Sequence, residues 1–259
     1  MSAGAACPCA ERQVMGEGAP GPDTASIIVA GGSGTRFGDA RGKQFVELCG
    51  LPLACWPLLA FDRAPSVAEI VVVVAKERVE LMRQEVLGRL TLAKPVTIAF
   101  GGAERQESVR NGLAAASDDR AFVAVHDAAR PLIEVADIER CIAALREDAM
   151  LAGAICATPV TDTLKLVEGD TIVSTPDRSF YWAAQTPQVF RRDVLHAAHE
   201  SARLDGYLGT DDASLVERQG GRVRCVACAR SNIKVTLPED LAVAEATLRE
   251  RLATESCGL

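Results

Sequence analysis

A chain of 259 residues with 48% hydrophobic residues and a net charge of −7 is long enough for one large α/β domain or two small ones. Its acidic balance argues against a general nucleic-acid binder, which needs a basic face for the phosphate backbone, yet a local cationic pocket for a small polyanion remains compatible. No apolar run approaches the roughly 20 residues of a membrane-spanning helix, and the N-terminus lacks the cationic start and apolar core of a secretory signal, so a soluble cytoplasmic protein is expected.

Residues 1–24 are rich in Gly, Ala and Pro without periodicity and are expected to form a disordered extension ahead of a single domain, 25–259. Within that domain, β-branched apolar runs predict strands at Ser26–Ala30, Ile70–Ala75, Val96–Phe100, Phe122–His126 and Ala152–Ala157. Apolar residues recurring every three or four positions predict helices at Leu53–Phe61, Glu77–Leu90, Glu104–Ala116 and Val135–Asp148. Continuous apolar strands imply burial on both faces, and their alternation with helices gives the fold class: α/β, a doubly wound, mostly parallel sheet with ligands at the C-terminal strand ends. The alternation breaks at about 160–180. There Thr163–Val167 and Thr171–Ser174 flank a Glu168-Gly169-Asp170 turn, the signal of an inserted β-hairpin, and the pattern alone leaves open an oligomerisation arm or a surface flap. Helices are then expected at Arg191–Arg203 and Pro238–Leu252, and a strand at Arg222–Ala227.

Cysteine and histidine add little. The nine Cys are odd in number and irregularly spaced. Cys141 and Cys156 lie in apolar patterns as small hydrophobes. Cys225 and Cys228 have metal-knuckle spacing but no second pair, which favours structural filler over zinc. Cys7 and Cys9 fall in the tail. His196 and His199 are expected on a solvated helix surface.

The chemistry concentrates at three turns. The first strand ends in Gly31-Gly32-Ser33-Gly34-Thr35-Arg36-Phe37-Gly38, followed by Lys43-Gln44-Phe45. Glycines let the main chain approach a bulky anion and direct N–H groups at it, and Arg36 and Lys43 add full positive charge. A nucleoside triphosphate suits this design. The string is not a Walker loop, and Phe37 stands where a dinucleotide fingerprint needs a small residue. His126-Asp127-Ala128-Ala129-Arg130-Pro131 follows a buried strand. Its Asp127 and Arg130 either pair with each other or present a carboxylate to a hydroxyl or metal and a guanidinium to an anion. Gly101-Gly102-Ala103-Glu104-Arg105 with Ser108 is either a base-reading turn or a plain helix start.

These three segments, followed in order by Asp162-Thr163, Asp177-Arg178, Gln185-Thr186-Pro187-Gln188, Thr210-Asp211-Asp212-Ala213-Ser214 and Asn232-Ile233-Lys234-Val235-Thr236, resemble the 2-C-methyl-D-erythritol 4-phosphate cytidylyltransferases of the non-mevalonate isoprenoid pathway. The similarity runs from about Ser26 to the last helix. It implies transfer of CMP from CTP to a sugar-alcohol phosphate, with Mg2+ as cofactor held mainly through the CTP phosphates. It also implies a homodimer whose inserted arms interlock. By motif, Arg36, Lys43 and Lys234 would be catalytic, while Ala30, Gly31, Gly32, Gly34, Gly102, Ser108 and Asp127 would line the nucleotide pocket. Arg130, Thr163, Arg178, Thr186 and Thr210 would serve the acceptor phosphate, Thr163 and Arg178 in the neighbouring subunit's pocket.

The acceptor's phosphate oxygen is anionic at neutral pH, so the transfer needs no general base. What it needs is fixed positive charge to bring two polyanions together. Two positions depart from the resemblance, Ala103 where Asp is common and Gly42 where Pro is common. Ribitol-5-phosphate cytidylyltransferases share the loop, the lysine and the Gln-Thr-Pro-Gln segment, but Asp162-Thr163, Asp177-Arg178-Ser179 and Trp182 favour the methylerythritol version. A non-catalytic nucleotide sensor is disfavoured by Arg36 and Lys43, and a nicotinamide oxidoreductase by Phe37. Thr186-Pro187 and Thr210-Asp211 also read as a turn and a helix N-cap.

Overall fold

A run such as Val71–Val74 has no polar face to offer water, so both of its sides must be covered. The computed structural model, which describes residues 21–32, 37 and 41–257, covers them with helices. In chain order the elements open with β1 (Thr24–Val29), a small hairpin of β2 (Glu47–Leu48) and β3 (Leu51–Pro52), α1 (Cys55–Arg63) and β4 (Val67–Val74). An irregular helical stretch containing α2 (Val79–Leu81) leads to β5 (Val96–Phe100), α3 (Arg105–Ala115), β6 (Phe122–Asp127), α4 (Val135–Glu147) and β7 (Gly153–Pro159). The projecting hairpin is β8 (Leu166–Glu168) and β9 (Thr171–Ser174). The chain closes with β10 (Trp182–Arg191), α5 (Arg192–Leu204), α6 (Asp212–Arg218), β11 (Val223–Ala227) and α7 (Pro238–Cys257).

Seven strands form the main sheet in the order β11-β7-β10-β6-β1-β4-β5. All neighbours are parallel except β10, which runs antiparallel to both β6 and β7. Period-two alternation distributes β4 between two cores: Ile70, Val72 and Val74 pack with Leu58, Phe61 and Ile138, while Val71 and Val73 pack with Val109, Leu113 and Leu195. On the second side α3 approaches closely at Gly112, where a Cβ would sit 2.6 Å from Ile27 Cγ2. A third apolar cluster joins α7 to the small hairpin through Leu48, Leu53, Val235 and Leu248. It brings the 234–236 segment back across the molecule.

The expected α/β architecture is present, with corrections at particular elements. The fold begins earlier than residue 25, since Thr24 is buried and Asp23 accepts from Arg146 at 2.6 Å. Residues 1–20 lie outside the described residues. The helix expected over Glu77–Leu90 is instead a succession of 3-10, α, π and 3-10 turns from Lys76 to Arg89. Gly88 and the β-branched Val79 and Val86 weaken a regular helix there, and the Cys55 thiol donates to the Val86 carbonyl at 3.8 Å. β10 was not expected: Pro187 interrupts its pattern, and the strand's pairing with β7 shifts register between Ala184 and Gln188, around that residue. The hairpin's first strand starts at Leu166 rather than Thr163. His199 is fully buried rather than solvated, whereas His196 is exposed.

Candidate active site

In a parallel sheet the C-terminal strand ends share one edge, and the loops after β1, β5 and β6 meet there around a cleft of about 430 Å³. Gly31 and Gly32 follow β1 and form one wall. Gly102 to Arg105 follow β5 and form another, and Asp127 closes the floor at the end of β6. Lys43, Gln44 and Lys234 complete it from elements distant in sequence. Of the residues singled out from sequence, Ala30, Gly31, Gly32, Lys43, Gly102, Ser108, Asp127 and Lys234 all line this one cleft. Arg36 and Gly34 lie outside the described residues.

Ser108 fastens the second glycine loop to α3 and packs beside the first. Its hydroxyl donates to the Glu104 carbonyl at 3.1 Å and accepts from the Gly102 N–H at 3.1 Å. A Cβ on Gly31 would meet that same oxygen at 3.7 Å. Gly102 has no room for a side chain, because Glu107 Cγ lies 2.2 Å from where its Cβ would be. The Glu107 carboxylate accepts the Ala103 N–H at 2.8 Å, so the backbone at 103 is held from α3.

Gly42 accounts for the other departure. Its φ is +104°, a conformation barred to proline and costly for any residue with a Cβ. A Cβ there would also fall 2.7 Å from Gln44 Oε1 and 2.9 Å from Arg78 Nη1. The uncluttered glycine lets Arg78 reach the Gly32 carbonyl at 3.1 Å. Immediately after it, Lys43 Nζ donates to the Val235 carbonyl at 2.8 Å. The cation that follows the first loop is thereby joined to the segment carrying Lys234.

The electrostatic centre is Asp127. Lys234 Nζ donates to Oδ2 at 2.7 Å and Arg105 Nε to Oδ1 at 3.2 Å. Burial alone would raise the pKa of this carboxyl, but Arg105 and then Lys234 outweigh burial and hold it far below the usual carboxylate range. Arg105 also donates to Asp212 Oδ2 at 2.8 Å, and His199 Nε2 faces Asp212 Oδ1 at 3.1 Å. Sequence reasoning missed Arg105, Asp212 and His199 as site residues. The Gly-Gly-x-Glu-Arg and Thr-Asp-Asp strings held two of them, but only the fold brings residues 107 positions apart into one ion pair.

His126 sets the floor's geometry from beneath. Its Nε2 lies 3.1 Å from the Arg130 carbonyl, which can only accept, so Nε2 carries the hydrogen. Nδ1 therefore accepts from Thr186 Oγ1 at 3.0 Å, and that hydroxyl in turn accepts the Asp127 N–H at 3.1 Å. Burial lowers the His126 pKa to about 4, keeping the ring neutral. Thr186 is thus buried beneath the site, as a link between β10 and β6. Arg130, at the rim of this network, donates to the Asn232 carbonyl at 2.8 Å, and Asn232 Nδ2 donates to the Thr186 carbonyl at 2.9 Å.

None of the five acceptor-side residues lines the cleft itself: Arg130 and Thr186 belong to the network beneath it, and the other three stand apart. Thr163 and Arg178 are exposed on the projecting arm, where Arg178 donates to the Thr161 carbonyl. Thr210 is exposed just before α6, whose N-cap is Asp211 in a capping box with Ser214. Among the described residues, no group of three or more His, Cys, Asp or Glu side chains is arranged to hold a metal ion.

Comparison with known proteins places this geometry. The family model described as 2-C-methyl-D-erythritol 4-phosphate cytidylyltransferase matches residues 24–250. A protein of that name from Geobacter metallireducens is 42% identical over 230 residues, covering 88% of this chain and 98% of the relative. One from Parasynechococcus marenigrum is 46% identical over 227 residues, covering 87% and 97%. Among solved structures, the 4-diphosphocytidyl-2C-methyl-D-erythritol synthase of Anaerococcus prevotii superposes with a TM-score of 0.77 at 28% identity, over 87% of this chain and 96% of that one. The 2-C-methyl-D-erythritol 4-phosphate cytidylyltransferase of Thermus thermophilus superposes with a TM-score of 0.68 at 31% identity, over 86% and 98%.

Proposed function

The chain belongs to the 2-C-methyl-D-erythritol 4-phosphate cytidylyltransferase family, and from that premise we propose how its own residues carry the reaction. The enzyme transfers CMP from CTP to 2-C-methyl-D-erythritol 4-phosphate, giving 4-diphosphocytidyl-2-C-methyl-D-erythritol and pyrophosphate, a step of isoprenoid precursor biosynthesis. A phosphate oxygen of the acceptor forms a bond to the α-phosphorus as the bond to pyrophosphate breaks. Both reactants are polyanions, so fixed positive charge at the five-coordinate phosphorus is what the protein must supply.

The observation that carries the assignment is the convergence of Lys43, Lys234 and Asp127, from three distant parts of the chain, on one cleft between two glycine loops. The loop after β1 cradles the triphosphate with its backbone, with Arg36 and Lys43 as cations. The turn at Gly102 and Ser108 receives the cytosine. Lys234, with Arg130, takes the acceptor's phosphate, and Asp127 orients Lys234. Thr186 acts through Asp127 and His126 rather than on the substrate. Mg2+ would be brought in with the CTP phosphates, with the carboxylates of Asp127 and Glu104 on the cleft lining available to it, and would supply charge neutralisation at the α-phosphate.

The arm supports a homodimer. Leu166, Val167, Ile172 and Val173 are all at least half exposed on two short strands, with Phe180 at 82% nearby, an apolar surface that a second copy would cover. In that dimer Thr163 and Arg178 serve the neighbour's acceptor pocket. Six free cysteines among the described residues accord with a reducing cytoplasm, and no described helix is long and apolar enough to cross a membrane.

Incubating the purified protein with CTP, Mg2+ and either methylerythritol phosphate or ribitol 5-phosphate, and measuring pyrophosphate, tests the assignment. Release is expected with the former; release only with the latter, or with neither, would reject it.

A further inference from the structure

A lysine that must bind the acceptor's phosphate begins, in this structure, bound to a carboxylate. Lys234 Nζ is 2.7 Å from Asp127 Oδ2, and Asp127 is largely buried, its side chain only 11% exposed. Moving Lys234 onto an incoming phosphate would leave that carboxylate unpaired in a site of low dielectric, which is strongly unfavourable. Arg105 changes the balance. It holds the other oxygen of Asp127 at 3.2 Å and is itself anchored by Asp212 at 2.8 Å. Asp212 is fully buried and fixed by the equally buried His199. Arg105 is therefore tied twice, whereas Lys234 is 43% exposed and projects toward the cleft.

We propose that Arg105 is a positioning residue, a standing counter-ion for Asp127 anchored by the Asp212–His199 pair, whose purpose is to release Lys234 to the acceptor phosphate. This rests on the assignment of Lys234 to that phosphate. When the phosphate arrives, Lys234 exchanges one anion for another while Asp127 keeps Arg105. No covalent step is involved. The guanidinium suits the task because its rigid fork spans two carboxylates at once, which an ammonium on a flexible stem does less well.

The test measures KM for each substrate and kcat in Arg105→Gln, Arg105→Lys, Lys234→Ala, Asp127→Asn and the double variant Arg105→Gln/Asp127→Asn, with thermal midpoints alongside. Arg105→Gln should raise the acceptor KM roughly tenfold or more, since Lys234 becomes the only cation on Asp127, and should change the CTP KM much less. Arg105→Lys should recover only part of the loss, since one ammonium on a flexible stem serves two carboxylates less well. Once Asp127 is neutral it needs no counter-ion, so adding Arg105→Gln to Asp127→Asn should leave the acceptor KM within about threefold, while the loss of Arg105 from the buried Asp212 shows in the thermal midpoint. A residue that merely holds the start of α3 would depress both substrates alike and would cost as much in the Asp127→Asn background. Either that result or an unchanged acceptor KM in Arg105→Gln would overturn the counter-ion role. Should Arg105→Gln fail to fold, the double variant against Asp127→Asn decides: equal acceptor KM values support the role, and a further tenfold rise overturns it. Lys234→Ala separates the two levels. If it leaves the acceptor KM untouched, the assignment of Lys234 itself fails. If it raises that KM while Arg105→Gln is silent, only the counter-ion role fails.

Discussion

Thr186→Val isolates a buried link that sequence reasoning had assigned to substrate contact. Valine matches threonine in shape, so packing is preserved and only the hydroxyl is lost. That hydroxyl accepts the Asp127 N–H at 3.1 Å and donates to His126 Nδ1 at 3.0 Å, and Thr186 is only 5% exposed. Both partners would be left buried without a hydrogen bond, each costing about 1–3 kcal/mol. Partial relaxation brings the expected total to about 2–4 kcal/mol. Urea denaturation should show a lower midpoint with an unchanged m value, and thermal melting a fall of about 5–10 °C. Thr186→Ser keeps the hydroxyl and should lose no more than about 1 kcal/mol. The acceptor KM should rise in the valine variant, because Asp127 and Arg130 both depend on the same network. A Thr186→Val protein within about 0.5 kcal/mol of the parent would refute the buried-link reasoning and return Thr186 to direct substrate contact.

Acid should weaken the fold in two stages. His126 titrates near 6.5 when unfolded but at about 4 when folded, so its stabilisation is fully present above pH 6.5 and declines as pH falls toward 4, by roughly 3 kcal/mol. Asp127 and Asp212, whose folded pKa values are lowered, contribute stability that is lost only below their ordinary value near 3.8. Stability measured against pH should therefore begin to fall near neutrality, and His126→Gln should flatten the upper part of that slope; an unchanged slope would contradict the assignment. Gly112→Ala should destabilise despite alanine's helix preference of about 1 kcal/mol. Its Cβ would sit 2.6 Å from Ile27 Cγ2 and 2.8 Å from Val73 Cγ2, an overpacking cost of about 1–3 kcal/mol, so a stabilised variant in urea titration would show that α3 can withdraw from the sheet. Ile172→Asp should shift the protein toward monomer in sedimentation velocity and lower turnover; a dimer unaffected by that charge would reject the arm as its interface.

Local pattern revealed a great deal. Unbroken runs such as Val71–Val74 identify strands buried on both faces, and all five sheet strands expected in the first two-thirds of the chain fall within three residues of their observed ends; β5 matches at both. The glycine loops and Asp127 were legible because turn chemistry and charge are local signals. What escaped depended on distance. β10 hides behind Pro187, whose disruption reads as a turn until two neighbours supply its hydrogen bonds. His199 reads as solvated until Asp212 arrives from α6 to pair with it. Arg105 is an ordinary helix-start residue in one dimension and the bridge between two buried carboxylates in three. Thr186, placed on substrate by motif, acquires its role as a link only once β10 lies beside β6.

The central claim is that Lys43, at the mouth of the first glycine loop, holds the triphosphate and steadies the charge that develops on its α-phosphorus. Pyrophosphate release from CTP and methylerythritol phosphate by Lys43→Ala tests this most directly. Turnover should fall by on the order of a hundredfold or more, the loss expected for one such donor, with the unfolding free energy within about 1 kcal/mol of the parent. Near-parental turnover from a folded Lys43→Ala protein would contradict the account.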